Sequence, residues 1–126
     1  MKETAKRILI VDDEPDLVAY LGALLEDSGY DYCSASDGNE GMSAMRAQKP
    51  DLVLMDVKMP NQTGLQLYRE MHELDEMSGI PVIMITGMTD FDLFSDDCNP
   101  LPKPAAFIQK PVDHGLLLSA IKKALG

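Results

Sequence analysis

Four short apolar runs, Ile8 to Val11, Leu52 to Met55, Val82 to Ile85 and Ala105 to Ile108, recur along the chain without the polar alternation of a half-exposed strand. Strand-length runs that are apolar throughout must be covered on both faces, and a parallel sheet with helices on each side does that. The stretches between them supply helical spacing. After Pro15, the residues Leu17, Val18, Leu21, Leu24 and Leu25 share one face of a helix that Gly29 ends. Asp37 and Gly38 open a second helix with Met42 and Met45 inward, and the stretch after Gly64 carries Leu67, Met71 and Leu74 on its buried stripe. Asp113 is a good N-cap for a last helix that turns Leu117, Ala120, Ile121 and Ala124 to the sheet. Tyr30 to Ala35 alternates more than the other runs, as a strand at a sheet edge would. The expected architecture is α/β, a doubly wound five-stranded parallel sheet in one domain spanning residues 1–126. Residues 88 to 104 depart from the pattern. There Asp90, Asp92, Asp96 and Asp97 precede Pro100, Pro102 and Pro104, so at most a shortened, irregular fourth helix fits, anchored by Phe91, Leu93 and Phe94.

Composition narrows the function. A chain of 126 residues with 45% apolar and 25% charged residues has the balance of a single globular domain. Its 21 acidic residues against 11 basic ones, a formal net charge of −10, would repel a phosphate backbone, so nucleic acid is not an expected partner. No apolar run approaches the roughly 20 residues that cross a bilayer, and the first residues lack the pattern of an export signal, so no membrane association is expected. Cys33 and Cys98 are too few for a disulfide framework and suit a reducing interior, which places the expected domain in the cytoplasm.

In sheets of this kind, ligands gather beyond the carboxyl ends of the strands. The first of the four runs ends in Asp12 and Asp13, the second in Asp56, the third in Thr86 and the last in Lys110-Pro111. Each of these alone reads as a cap, a turn or a strand exit. Together, three carboxylates, a hydroxyl and an amine converge on one rim. Clustered carboxylates repel one another, and a hard cation with oxygen ligands relieves them; magnesium, which pairs one or two carboxylates with a phosphate oxygen, is the expected cofactor. Lys110 would then neutralise one phosphoryl oxygen, Thr86 would donate to another, and one aspartate remains as nucleophile.

The stretches ILIVDDEPD, DLVLMDVKMPNQTG, PVIMITG and FIQKP, in that order and spacing, resemble the receiver domain of two-component response regulators over essentially the whole chain. The resemblance implies a flavodoxin-like strand order 2-1-3-4-5. It makes Asp56 the phosphoacceptor, Asp13 a direct magnesium ligand, Asp12 a ligand acting largely through water, and the backbone carbonyl of Lys58 a further ligand. Thr86 becomes the switch hydroxyl and Phe107 the aromatic switch. Lys110 becomes the phosphoryl-binding amine ahead of a cis Lys110-Pro111 bond. The implied donor is a sensor histidine kinase or phosphotransfer protein, and the implied reader is a downstream effector protein or domain. The domain would act as a monomer or a phosphorylation-dependent dimer, and it would assist only its own phosphorylation and dephosphorylation. The face formed by the segment 88–104, the last strand and the last helix would change shape. Because that segment is unusual here, signalling is expected either through its altered form or through the first and last helices.

Lys58 and Met88, two residues beyond Asp56 and Thr86, flank the expected approach of water, and neither orients it well, so slow self-dephosphorylation is expected. Three other readings compete. A haloacid-dehalogenase-like phosphatase would want a second Asp two residues after the nucleophile, where Lys58 stands, and a flavin carrier would meet the acidic run at residues 12–16 instead of a phosphate-cradling loop. A receiver-like docking scaffold that acts without phosphorylation is opposed by the complete five-residue set. His72 and His114 read as exposed or capping residues, and Met42, Met45, Met55 and Met84 as core packing.

Overall fold

The computed structural model describes residues 6–56, 64–86 and 104–126. In chain order these form β1 (Arg7–Val11), α1 (Pro15–Asp27), β2 (Asp31–Ala35), α2 (Gly38–Ala47), β3 (Leu52–Asp56), α3 (Gly64–Glu73), α4 (Asp75–Ser78), β4 (Val82–Thr86), β5 (Ala106–Gln109) and α5 (His114–Leu125). All strand pairings are parallel, in the order β2-β1-β3-β4-β5 expected from the sequence. Residue period two splits the strands between two cores. Leu9, Val11, Val53, Met55 and Met84 pack on one face with Met42 and Met45 of α2 and Leu67, Tyr68 and Met71 of α3. Ile8, Ile10, Leu52, Leu54, Ile83 and Ile85 pack on the other with Leu21 and Leu25 of α1 and Leu117 and Ile121 of α5. The unbroken apolar runs are therefore strands with no solvent face, and β3 is buried from Leu52 through Asp56.

The ends of the helices follow local rules. Pro15 opens α1, and past its end Gly29 adopts φ 91°, a left-handed conformation that costs glycine little. Asp37 accepts the Glu40 N–H at 2.8 Å, while the Glu40 carboxylate accepts both the Ser36 N–H and the Ser36 hydroxyl at 2.8 Å. That reciprocal arrangement satisfies donors on both sides of the α2 start. Asp113 caps α5 by accepting the Leu116 N–H at 3.0 Å.

Several details differ from the sequence expectation. Leu74 is not on the stripe of α3, which ends at Glu73; Leu74 is extended at φ −110°, ψ 116°, and the separate turn α4 follows. Leu74 is half-buried and still packs against the core, and that turn adds Met77, which the sequence reading did not single out. The last strand runs from Ala106 to Gln109, one residue later than the apolar run, with the Ala105 N–H already bonding the Val82 carbonyl of β4 at 2.8 Å. His72 is half-buried, with its ring 4.4 Å from that of Tyr68 in an edge arrangement and Nδ1 2.9 Å from the Tyr68 carbonyl, whereas His114 is exposed. The four methionines expected inside are buried. The expected irregular helix within residues 88–104, with Phe91 and Phe94, lies outside the described residues apart from Pro104.

Leu54 is wholly buried on β3, the central strand of the sheet, where truncation leaves a cavity with little room to collapse. Leu54→Ala is expected to lower unfolding stability by about 2–5 kcal/mol, read as a lower urea midpoint at unchanged slope.

Candidate functional site

The strand register builds the rim. Val11 lies opposite Met55, so the next residues on each strand, Asp12 and Asp56, stand side by side at the carboxyl ends of β1 and β3. Asp12 is held there by its backbone N–H, which donates to the Ala35 carbonyl at 3.0 Å. Asp12 is 2% exposed and Asp56 4%, and these are the two buried acidic residues among those described. Asp13 is exposed on the same rim. One carboxylate oxygen from each of Asp12, Asp13 and Asp56 falls within 4.8 Å of the others.

Two observations show that this cluster is under electrostatic load. Asp12 Oδ1 accepts the Glu14 N–H at 2.8 Å, but Oδ2 is buried with no hydrogen-bond partner among the described residues. Burial pushes the Asp12 carboxyl above its ordinary 3.8, and the charges of Glu14 and Asp13 add to that; the Glu14 N–H and the Lys110 charge oppose it. Lys110, from the end of β5, supplies the counter-charge. Its Nζ lies 3.5 Å from Asp56 Oδ2 and 3.1 Å from Glu14 Oε1. Burial alone would lower the Lys110 pKa, but the hydrogen bond to Glu14 and the charges of Asp56, Asp12 and Glu14 outweigh it and raise the pKa above its usual value. The amine is therefore a fixed cation at neutral pH.

The remaining expected residues take the following places. Thr86 is the last residue of β4, with its Cα opposite Gln109, one residue before Lys110. Phe107 is half-buried, with its Cα opposite Met84, and packs against the core on the α2 and α3 face. The Lys110-Pro111 peptide bond is cis. Lys58 and Met88 lie outside the described residues. Glu14 was not singled out in the sequence as a partner of Lys110. The signal was present, since Glu14 continues the acidic run of the rim to which Lys110 had already been assigned.

Carboxylates arranged this way, one with an orphaned oxygen, form an all-oxygen donor set suited to a hard divalent cation. Asp56 is both inside that set and within reach of a fixed ammonium, which is the environment of a carboxylate prepared to attack an anionic electrophile.

Residues 8–122 match the response regulator receiver domain. The chain belongs to that family. It is 39% identical over 120 residues to Protein PilH of Pseudomonas aeruginosa, covering 94% of this chain and 97% of PilH. It is 30% identical over 119 residues to Protein Rrf1 of Nitratidesulfovibrio vulgaris, covering 94% of this chain and 82% of Rrf1. Against the CAI-1 autoinducer sensor kinase/phosphatase CqsS of Vibrio cholerae it is 35% identical and spans 17% of that protein. Among solved structures, the signal receiver domain of a histidine kinase from Syntrophus aciditrophicus superposes with a TM-score of 0.85 at 32% identity, covering 96% of this chain and 90% of that one. A CheY-like receiver domain protein from Methanospirillum hungatei does so with a TM-score of 0.81 at 33% identity, covering 97% and 94%. Receiver domains thus occur in relatives both nearly alone and joined to kinase segments. No described helix of this receiver is long and apolar enough to cross a membrane.

Because the native Asp12 carboxyl titrates above 3.8, the folded chain holds a proton that the unfolded chain has released, and stability without divalent cations falls as pH rises through that window. Asp12→Asn removes the charge while keeping an oxygen for the Glu14 N–H. Its melting temperature in chelator is expected to exceed that of the wild type at neutral pH, with the gap closing toward acid pH.

Proposed function

We propose that this receiver domain is a phosphoacceptor switch that takes a phosphoryl group onto Asp56 from a phosphohistidine of a sensor kinase or phosphotransfer protein. The observation that carries the reading is the position of Asp56: buried at the end of a central strand, beside Asp12 and Asp13, with the Lys110 ammonium 3.5 Å from Oδ2. In the transfer, an Asp56 oxygen attacks phosphorus, the new O–P bond forms as the P–N bond breaks, and the electron pair returns to the imidazole nitrogen. Asp12, Asp13 and Asp56, together with the backbone carbonyl of Lys58, would hold magnesium. When bound, the ion supplies charge neutralisation for the phosphoryl oxygens and for the carboxylates themselves.

The chain's own groups do the rest. Lys110 offsets negative charge on the incoming phosphoryl group as a point charge. The Thr86 hydroxyl donates to a second oxygen once the group is in place, and the space it leaves is taken by Phe107. Those movements reshape the face that includes β5 and α5, which an effector protein or domain reads. The new group adds about −1.5 to −2 charges and three acceptor oxygens, enough for the charge-assisted hydrogen bonds that shift a two-state equilibrium by a few kcal/mol. The domain promotes its own phosphorylation and hydrolysis and turns over no other substrate. Action in the cytoplasm, as a monomer or as a dimer formed on phosphorylation, completes the reading.

Incubation with magnesium and a small phosphodonor is expected to add one phosphoryl mass to the wild type and none to Asp56→Asn, by intact-mass spectrometry. An adduct on both proteins would place the acceptor elsewhere. Partner binding by a wild type that gains no adduct would favour a phosphorylation-independent docking scaffold.

A further inference from the structure

Among the described residues the Lys110 amine has two anionic partners, and the better one is not the proposed phosphoacceptor. Its Nζ lies 3.1 Å from Glu14 Oε1, within ordinary charge-assisted hydrogen-bonding distance, and 3.5 Å from Asp56 Oδ2, at the outer limit of one. Glu14 is built for such a hold. Its root is fixed twice: its N–H donates to Asp12 Oδ1 at 2.8 Å, and its carbonyl accepts the Val18 N–H at 3.0 Å in the first turn of α1. Its tip is free to leave, since the side chain is 60% exposed and makes no capping bond to the helix that it precedes.

Resting on the reading of Asp56 as acceptor, we propose that Glu14 is a positioning residue that occupies the Lys110 ammonium in the place a phosphoryl oxygen later takes. Phosphorylation then exchanges one anionic partner of Lys110 for another, and Glu14 slows the loading of Asp56. Two effects act in the same direction. The ammonium must be drawn off Glu14 before it can serve the phosphoryl group, and the Glu14 charge itself repels an anionic donor approaching the rim. An exposed pair of this kind is weak, so it delays loading without preventing it. Glu14 can swing into solvent once displaced.

The test uses the full chain, Glu14→Gln, acetyl phosphate and magnesium, with the loading rate read by intact mass and the Lys110 side-chain resonances by NMR. With this donor the Asp56 O–P bond forms as the P–O bond to acetate breaks and acetate leaves. Glu14→Gln is expected to load about two- to fivefold faster at low ionic strength, the scale of an exposed ion pair, and the gain should shrink as salt is added. The Lys110 resonances should differ between the two unphosphorylated proteins and coincide once both are loaded. Loading at or below the wild-type rate would overturn the proposal whatever the Lys110 signals do, and faster loading with those signals unmoved would overturn the positioning role. A wild type that takes no phosphoryl group on Asp56 would instead remove the functional reading, and this proposal with it.

Discussion

Repulsion between the carboxylates of neighbouring parallel strands is the constraint on which the rest of this receiver depends. The register of β1 on β3 leaves Asp12 and Asp56 no freedom to separate, because the residues just before them are paired and fully buried. Two acids at the end of a dry sheet cost stability unless something of opposite charge sits beside them. Lys110 supplies part of that charge from the end of β5, across the intervening strand β4. The orphaned Asp12 oxygen shows that it does not supply all of it. Burial, aided by the charges of Glu14 and Asp13, raises the Asp12 carboxyl, and the same arrangement leaves an all-oxygen donor set of the kind a hard cation takes.

The parallel sheet makes this economical to build. Every strand delivers its last residue to one edge, so side chains distant in the chain become neighbours without any dedicated scaffold; Glu14 and Lys110 are 96 positions apart and form an ion pair. Behind the rim, two apolar cores hold the strands in register and resist adjustment. The rim is consequently rigid where the buried Asp12 and Asp56 stand and more yielding where Glu14 and Lys110 reach into solvent.

Much of this was legible in the residues. The unbroken apolar runs pointed to the parallel sheet, since helices on each side of such a sheet cover both faces of strands such as Leu52–Asp56. The caps Asp37 and Asp113 act where their residue types suggested. The convergence of Asp12, Asp13, Asp56 and Lys110 followed from their places at the run ends. The strand order followed from the family resemblance, because periodicity does not say which strands are neighbours. Local geometry was less legible. Leu74 packs against the core as the stripe of α3 suggested, yet the chain leaves the helix there and Met77 of the following turn is buried beside it, a contribution decided by tertiary packing and invisible to a 3.6-residue period. The Glu14–Lys110 pair depended on which of three adjacent acids an amine would meet, which spacing alone cannot rank.

The central claim is that the acidic rim is a cation site strained when bare. Its most direct measurement is a magnesium titration of the unphosphorylated chain followed by backbone amide NMR. The account predicts saturable shifts centred on Asp12, Asp13 and Asp56, and none of that size in Asp12→Asn carrying Asp13→Asn. Amides at those positions that stay fixed at millimolar magnesium, or that move equally in the doubly substituted chain, would contradict it.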